Sequence, residues 1–473
     1  MTALVGIDVG TTGVKALAIS PDGEVLARAE INYSLSTPQP GWSEQNPQDW
    51  VGASDEALAQ LDVVPAGIGL SGQMHGLVCL DDEGRVLRPA ILWNDQRTGE
   101  ECAEIERLVG RERLVELTGN RALPGFTAPK LLWLRKHEPE TYARIAHVLL
   151  PKDYVRLRLT GEHAIDVADA SGTLLLDVAG RRWSTEVLDA LDIDPAWLPR
   201  LLESPEVSGT TAAGIPVAAG AGDQAAGALG VGVDRPGPLS VVLGTSGVVF
   251  AALPGYAHDR DGRAHVFCHA VPGAWHAMGV MLSAAGSLGW LQGILDAPYD
   301  ELLQAAAGAP AGSEGALFAP YLAGERTPHV DPDARGALVG LSIRHDRGAV
   351  VRSVLEGVAY GLRDSLELLR GLGVTADRGR ISGGGARSAL WTRIVASVLD
   401  LPLERTAVEE GSAYGAALLG GVACGVFADA HEAVDACVRI RETVEPDPAW
   451  TTAYRDGYDR FRALYPALAP LAR

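Results

Sequence analysis

Residues 6–20, "GIDVGTTGVKALAIS", place a short polar turn between two apolar runs. A turn of glycine and threonine at residues 10–13 is typical of an ordinary β-hairpin. A hairpin has no need of Asp8 at the end of the first run. A phosphate site, in contrast, gains from a carboxylate that can hold Mg²⁺ beside exposed backbone N–H groups. The stretch by itself leaves both interpretations open.

The same arrangement occurs a second time in the chain. Residues 239–253, "LSVVLGTSGVVFAAL", again join two apolar runs through Gly-Thr-Ser-Gly. A second pair of similar segments is "GIGLSGQM" at 67–74 and "GRISGGGARS" at 379–388. The first of these comes after the first Gly-Thr turn in the chain, and the second comes after the second turn. Two repeated markers indicate a duplicated domain, with Asp8 in the first copy and Val242 at the equivalent position of the second.

Strand-type runs alternate with segments of helical period between these markers. In residues 347–373 apolar side chains recur at helical spacing, at Val350, Val351, Val354, Leu355, Val358 and Leu362. Such alternation predicts α/β domains. We expect two domains, residues 1–236 and 237–473, whose Gly-Thr turns face each other across an interdomain cleft that can hold a nucleotide's phosphates.

Composition and charge restrict the function further. The 473 residues carry a formal net charge of -20, which opposes binding to nucleic acid or an anionic membrane. The five cysteines form no CxxC pair, and no secretion signal or bilayer-length apolar run is present in the sequence. We therefore expect a reduced, cytoplasmic protein with neither a nucleic-acid nor a membrane partner.

Asp223 follows the small residues of "AGAGDQAAG" and precedes an Ala-Gly segment of helical character. It is either the N-cap of that helix or a carboxylate at a cleft, where it would accept a proton from a substrate hydroxyl. Gln73, Met74 and His75 lie in a loop after a strand. Their groups are suited to a polyhydroxylated ligand, but the sequence alone favours a core methionine and a satisfied loop histidine over that interpretation.

The glycines of "ISGGGARS", residues 381–388, let the backbone lie close to a ring or a phosphate, or merely form a tight turn. The segment has the spacing of neither the P-loop nor the dinucleotide fingerprint. In "WNDQR", residues 93–97, Asp95 and Arg97 are interpreted as an exposed ion pair.

Taken together, these segments resemble the FGGY family of carbohydrate kinases. The similarity runs in order from residue 4 to residue 427 and includes "LPKDYVRLRLTGE" (150–162), "DASGTLLLD" (169–177), "YLAGERTPHVDPDARGALVGLS" (321–342) and "EEGSAYGAALLG" (409–420). Residues 125–137 resemble the family's first signature, with Lys130 and Trp133 in place. Residues 336–356 resemble the second, except that Ala349 replaces a usually polar residue.

The resemblance implies two actin-like, ribonuclease-H-like domains of the hexokinase type, with ATP and Mg²⁺ as cofactors. By the same resemblance, Asp223 is the catalytic base, Asp8 the metal-side carboxylate, and Gln73, Met74, His75 and Gln224 contact the sugar. The nucleotide contacts implied are Thr11, Thr12, Gly244, Thr245, Gly384, Gly385 and Ser388.

The implied reaction is in-line transfer of the γ-phosphate to a sugar hydroxyl, with D-xylulose favoured as the acceptor. Gln224 stands where many relatives carry asparagine. This difference weakens the prediction of the sugar more than the prediction of the reaction type. Ribulose, xylitol or another ketose or polyol are the alternatives, followed by a non-catalytic sugar or nucleotide sensor and an actin-like assembly protein. Family members are often dimers, so a homodimer is a further expectation.

Overall fold

The computed structural model describes residues 2–471, so the ends of the expected domains 1–236 and 237–473 lie outside the described residues. Its strands are β1 (Ala3–Val9), β2 (Gly13–Ile19), β3 (Val25–Asn32), β4 (Glu44–Gln45), β5 (Pro65–Gly72), β6 (Val78–Leu80), β7 (Ala90–Ile91), β8 (His147–Leu149), β9 (Ala164–Asp166), β10 (Leu176–Asp177), β11 (Arg182–Trp183), β12 (Arg200–Leu202), β13 (Val207–Thr210), β14 (Pro216–Ala218), β15 (Ala221–Gly222), β16 (Pro238–Leu243), β17 (Gly247–Leu253), β18 (His265–Cys268), β19 (Trp275–Met281), β20 (Leu317–Ala319), β21 (Ala337–Val339), β22 (Arg378–Ser382), β23 (Leu403–Thr406) and β24 (Ile440–Val444).

The α-helices are α1 (Pro47–Leu61), α2 (Gly99–Ile105), α3 (Arg111–Thr118), α4 (Thr127–His137), α5 (Pro139–Tyr142), α6 (Pro151–Thr160), α7 (Val167–Ser171), α8 (Thr185–Leu191), α9 (Asp223–Gly230), α10 (Ala285–Leu295), α11 (Tyr299–Gly308), α12 (Arg347–Arg370), α13 (Ala389–Leu399), α14 (Gly411–Ala423), α15 (Ala430–Cys437), α16 (Pro448–Arg462) and α17 (Leu464–Leu468). Single turns of other helix types lie at Glu106–Gly110, Pro195–Trp197, Ser313–Gly315, Gly384–Arg387 and Ala469–Leu471. No helix in the described part of the chain is long and apolar enough to cross a bilayer.

The first seven-stranded sheet has the order β13-β14-β5-β1-β2-β3, with β15 also paired to β5. The opening stretch forms the antiparallel hairpin β1–β2, and β5 lies parallel to β1 on its other side. Six of the seven residues of β1 are buried. A nearly continuous apolar run is typical of a central strand that is covered on both faces.

The second seven-stranded sheet, β18-β19-β17-β16-β22-β23-β24, repeats this plan. Its hairpin β16–β17 is antiparallel, and β22 lies parallel to β16 as β5 lies parallel to β1. The registers also agree, since Asp8 is opposite Ser71 and Val242 is opposite Ser382. The prediction of two related actin-like α/β lobes is confirmed.

Helix α12 confirms the helix predicted from the apolar spacing at 347–373, and it buries Val351, Val354, Leu355, Val358 and Leu362. Ala349, the residue that departs from the second signature, lies in its first turn, where its N–H donates to the N-cap Asp346 at 2.9 Å.

Helix α14 lies between β23 and β24 of the second sheet in the chain, yet it packs against β1 and β5 of the first sheet and against α9. Glycines on both sides allow this approach. A Cβ built on Gly69 would collide with the backbone of Ala416, and one built on Gly415 would lie 2.8 Å from the carbonyl carbon of Ala226. The helix therefore ties the C-terminal part of the chain to the first sheet, and the division at residue 236 stays a prediction.

Candidate active site

Asp8 lies at the carboxyl end of β1, beside Ser71 on the parallel strand β5 and opposite Lys15 on β2. Burial raises the pKa of the Asp8 carboxyl above its usual range, while the Ser71 hydroxyl and the charge of Lys15 oppose this shift. Its Oδ1 atom has no hydrogen-bond partner among residues 2–471. A buried carboxylate oxygen left without a partner is available to a ligand or a cation.

Asp223 reaches the same edge of the first sheet by another route. Strand β15 pairs with the end of β5, with Gly222 opposite Gly72, and Asp223 is the first residue of α9 directly after it. Gly222 occupies the N-cap position and no side chain caps this helix, so the N-cap interpretation of Asp223 is wrong. The carboxylate is free for another role.

Two causes raise the pKa of Asp223 to about 7, first burial and then the negative charge of Asp8. The backbone N–H and side-chain amide of Gln224 act in the opposite direction. A carboxylate whose pKa is close to neutral is suited to general-base catalysis, because it is partly deprotonated and still accepts a proton readily.

A cavity of about 420 Å³ opens between the two lobes at these carboxylates. An adjoining cavity of about 490 Å³ extends along the second lobe. The two share five lining residues, Lys15, Ser382, Gly383, Glu409 and Glu410. The two spaces therefore form one continuous cleft, from Asp8 and Asp223 to the glycine loop after β22.

The second of these spaces is rich in cationic groups. Besides Lys15 it is lined by Arg387, Arg405 and Arg441, and these four cations outnumber its two carboxylates, Glu409 and Glu410. Against a net charge of -20, such a local concentration of positive charge creates a place where an anion binds favourably.

The glycine loop after β22 lies directly against the second Gly-Thr turn. Gly383 has φ 91°, and a Cβ there would lie 2.9 Å from the amide nitrogen of Gly244. The carbonyl groups of Gly244 and Thr245 accept hydrogen bonds from the N–H groups of Ala285 and Ala284 at 2.7 and 2.8 Å. The start of α10 thus fixes this turn.

The structure separates the residues expected to contact the adenosine. Gly384 lines the cleft. Gly385, in contrast, is buried against the side chain of Leu243, and the Ser388 hydroxyl accepts the N–H of Trp391 as the N-cap of α13. A nucleotide contact for the latter two residues stays a prediction.

The first Gly-Thr turn rests on a chain of buried amides. The Thr11 hydroxyl donates to Gln73 Oε1 at 3.2 Å. The Gln73 amide nitrogen in turn donates to Gln45 Oε1 at 3.0 Å and to the Gly10 carbonyl at 3.3 Å. Gln45 also donates to the Thr11 carbonyl at 2.7 Å. Gln73 is therefore engaged beneath the turn, and its contact with sugar stays a prediction, as do the phosphate contacts of Thr11, Thr12 and Thr245.

Met74 lies beside the residue that precedes Asp223. A Cβ on Gly222 would lie 2.7 Å from Cγ of Met74, so this methionine packs directly against the end of β15. His75 has φ 69° and one ring nitrogen bonded, since its Nδ1–H donates to the Gly172 carbonyl at 2.7 Å. Burial lowers the pKa of His75 to about 3, so the ring is neutral and its Nε2 is an acceptor.

The signature lysine of residues 125–137 supports this loop. Lys130 donates from Nζ to the His75 carbonyl at 2.9 Å and to the Gly125 carbonyl at 2.7 Å, and the Thr127 hydroxyl donates to the same His75 carbonyl at 3.0 Å. The backbone of His75 is therefore fixed from the side of α4, and its ring from the side of α7.

Two residues of the cleft region were missed from the sequence. Lys15 is the one exposed residue of the otherwise buried β2, and a single charge within an apolar strand was the available signal. Trp93, whose side chain is exposed, donates from Nε1 to the Thr11 hydroxyl at 3.0 Å. The neighbouring Asp95–Arg97 ion pair exists at 2.7 Å, but the expectation that it is exposed is wrong, because both side chains are buried.

Comparison with known proteins agrees with this geometry. Residues 3–230 match the N-terminal domain, and residues 239–424 the C-terminal domain, of the FGGY family of carbohydrate kinases. The chain belongs to this family, and is thus a sugar kinase of the kind that uses ATP.

Several relatives are similar along almost the whole chain. It is 43% identical to a xylulose kinase of Escherichia coli strain K12, covering 99% of each chain. The solved structure of a "xyloylose kinase" from Brucella ovis matches with a TM-score of 0.95 and 42% identity, over 99% of this chain and 100% of that one. A xylulose kinase from Rhodospirillum rubrum matches with a TM-score of 0.93 and 34% identity, over 99% of each chain.

Proposed function

We propose that this protein transfers the γ-phosphate of ATP to the terminal hydroxyl of D-xylulose, giving D-xylulose 5-phosphate and ADP. The xylulose kinases to which it is similar over nearly its full length support this choice of sugar. The observation that carries the chemistry is Asp223, a carboxylate with a pKa of about 7 at a cleft between two lobes.

Asp223 acts as the general base. As the hydroxyl oxygen of the sugar bonds to phosphorus, the hydroxyl proton passes to the Asp223 carboxylate, and the bond to the β-phosphate oxygen breaks to release ADP. Most of the rate in such a transfer comes from positioning and charge stabilisation, which the two lobes supply when they close on both substrates and exclude water.

Asp8 would hold Mg²⁺. This ion takes oxygen ligands and is usually bound by one or two carboxylates together with substrate phosphates, which is consistent with the unpartnered Oδ1 of Asp8. No group of three or more His, Cys, Asp or Glu side chains among residues 2–471 is placed to hold a metal by itself. When bound with ATP, the ion offsets negative charge on the phosphates.

The two Gly-Thr turns and the glycine loop would bind the nucleotide. Thr11 and Thr12 on one side and Gly244 and Thr245 on the other would contact the phosphates, with Lys15 supplying a positive charge between the lobes. The adenosine would lie along Gly384, Gly385 and Ser388. The cationic groups of this part of the cleft and its exposed glycine backbone support this assignment.

Met74 and His75, together with Gln73 and Gln224, would form the sugar site. The accessible acceptor Nε2 of His75 and the amide of Gln224 beside the base support a polyol ligand. Gln224 also keeps a second candidate open, a kinase for another ketose or polyol such as ribulose or xylitol, because its side chain determines how a sugar hydroxyl reaches Asp223.

The test measures ADP release with D-xylulose, ribulose, xylitol and related sugars, with and without Mg²⁺. We expect turnover with D-xylulose that needs Mg²⁺. We also expect Asp223→Ala to lose about 10²–10⁴-fold in turnover while nucleotide affinity stays close to that of the wild type. Full turnover in Asp223→Ala, or ADP release that is indifferent to every sugar, would contradict the proposal.

The organisation of the protein completes the proposal. We place the domain division at residues 1–236 and 237–473, supported by family matches that end at 230 and begin at 239. We also propose a cytoplasmic homodimer, for which the test is the molar mass in solution by light scattering.

A further inference from the structure

The loop that follows β20 carries an arginine from the second lobe towards the sugar residues of the first. Thr327 fixes this loop to β19, since its N–H donates to the Val280 carbonyl at 2.9 Å and its hydroxyl accepts the Val280 N–H at 3.0 Å. The same hydroxyl donates to the Arg263 carbonyl at 2.9 Å. Arg326, the preceding residue, is therefore held in place by its neighbour.

Glu325 fixes the other side of Arg326 through hydrogen bonds from backbone N–H groups. Its Oε1 accepts the N–H groups of Leu282 at 3.0 Å and of Arg326 at 2.8 Å, so the carboxylate is used by backbone groups. The Arg326 guanidinium has no hydrogen bond and no ion pair within residues 2–471, although it is partly buried. A cation removed from water without a partner is unfavourable, which indicates that something else satisfies it.

Arg326 lies close to two neutral histidines, because its neighbour Thr327 bonds the carbonyl of Arg263, two residues before His265. The positive charge of Arg326 is among the causes that lower the pKa of both His75 and His265. The His265 ring donates from Nδ1 to Asn120 Oδ1 at 2.8 Å, and its Nε2 has no partner within residues 2–471. The ring of Phe126 lies 4.7 Å from that of His75 and 6.0 Å from that of His265. Aromatic and imidazole rings thus surround the space that Arg326 approaches.

The free groups at this place are complementary to hydroxyl and carbonyl oxygens. His75 offers an acceptor at Nε2, and Arg326 offers only donors. A sugar hydroxyl donates to the first and accepts from the second. Asp8 and Asp223 line the cleft, and Met74, next to His75 in the chain, packs against Gly222 beside Asp223. With the reacting hydroxyl of the sugar at Asp223, the free groups would meet the end of the sugar that is remote from the phosphoryl transfer.

We propose that Arg326 is a sugar-binding residue that donates to the oxygens at the end of the substrate remote from the transferred phosphate. This inference deepens the proposed function and rests on it. In a 2-ketose that end carries the carbonyl oxygen, which accepts hydrogen bonds from Arg326. Since the arginine belongs to the second lobe and His75 to the first, the sugar also joins the lobes as the cleft closes.

The test compares Arg326→Met and Arg326→Lys with a control, Arg344→Met, in which an exposed arginine of the same lobe is replaced. At saturating ATP we expect the KM for D-xylulose to rise about tenfold to a hundredfold in Arg326→Met, as for loss of a hydrogen bond from a charged group. The KM for ATP and the sugar-free ATPase rate should change less than about twofold. The KM of Arg326→Lys for D-xylulose should lie between those of the wild type and Arg326→Met. Arg344→Met should have the KM of the wild type.

An unchanged sugar KM in folded Arg326→Met, or an equal rise in the KM for ATP, would overturn this inference. Thermal melting establishes that each variant is folded, and Arg326→Lys provides the comparison if the methionine variant is not. A wild-type protein inactive with every sugar would instead refute the proposed function. Calorimetric titration of D-xylulose into wild type and Arg326→Met then tests the arginine on its own, and equal affinity would exclude the contact.

Discussion

The carboxylate of Asp8 raises the pKa of Asp223, and the two residues lie at the edge of one sheet although 215 positions separate them in the chain. Asp8 ends β1, and Asp223 follows the short β15 that pairs with the neighbouring strand. The pairing of β1, β5 and β15 therefore brings together the proposed base and the carboxylate proposed to hold the metal. The electrostatic coupling between them has consequences for both turnover and stability.

The first prediction concerns the pH dependence of turnover. Because Asp223 must be deprotonated to accept a proton, kcat/KM for D-xylulose should fall as the pH is lowered through about 7. Asp8→Asn removes the negative charge that raises the pKa of Asp223, so the midpoint of its residual activity should move to lower pH. Steady-state rates between pH 5 and 9 measure both effects. Asp55→Asn, on the exposed face of α1, is the control, and an Asp8→Asn profile that coincides with it would contradict the coupling.

The second prediction concerns stability. The folded-state pKa of Asp223 is raised, so between its unfolded pKa of about 4 and its folded pKa of about 7 the folded state binds more protons. The stability of the wild type should therefore decrease, through this group, as the pH rises across that interval. Asp223→Asn removes the cost of the buried charge and should be more stable than the wild type at pH 8, by up to about 4 kcal/mol.

Urea denaturation of both proteins at pH 5 and pH 8 measures this difference. The gain in Asp223→Asn should be larger at pH 8 than at pH 5, since the wild-type carboxylate is mostly protonated in the folded state at the lower pH. A gain that is independent of pH would show that the effect comes from packing rather than from ionisation.

The sequence predicted the local features of this site well. Each Gly-Thr turn joins two adjacent strands, so its form depends on residues close in the chain, and both hairpins are present as expected. The repeated order of markers also predicted the two related sheets. Asp8 was noticed because a hairpin has no need of a carboxylate at the end of its first strand. The role of Asp223 came from the family resemblance, since an Asp before a helix is equally typical of an N-cap.

Features that depend on packing between distant segments were not predictable in this way. The bonds of the Gln73 amide to Gln45 and to the first turn are revealed only by the folded position of β4, and the sugar contact of Gln73 stays a prediction. The Asp95–Arg97 pair was expected at the surface. It is buried because Arg97 also stacks on the ring of Trp42, at 3.6 Å from its centroid. No local pattern indicates such a contact.

The third prediction tests the amide chain beneath the first turn. Gln45→Leu leaves the Thr11 carbonyl, the Gln73 amide and the Trp50 Nε1–H without their partner. We expect a loss of about 1–3 kcal/mol in the free energy of unfolding, as for buried polar groups left unpaired. Because the turn is assigned to the phosphates, the KM for ATP should rise while the KM for sugar changes little.

Gln60→Leu provides the matched control, because Gln60 lies on the exposed end of α1 and bonds only to Glu56. Chemical denaturation and nucleotide titration should leave this variant close to the wild type. If Gln45→Leu lost stability but kept its affinity for ATP, the amide chain would support the fold without positioning the phosphate turn.

The fourth prediction tests how α14 holds the C-terminal segment against the first lobe. A Cβ on Gly415 would lie 2.9 Å from the amide nitrogen of Gly230 in α9 and still closer to the backbone of Ala226, so neither helix has room for it. We expect Gly415→Ala to lose about 1–3 kcal/mol or more, as for an overpacked core. Gly52→Ala changes a helical glycine of α1 with no atom within 4 Å of the added Cβ, and it should gain about 0.5–1 kcal/mol from helix propensity. Opposite shifts in the melting temperature of the two variants are the expected result. A stable Gly415→Ala would mean that α14 can move away from α9, and close contact between these helices would then not be required for the fold.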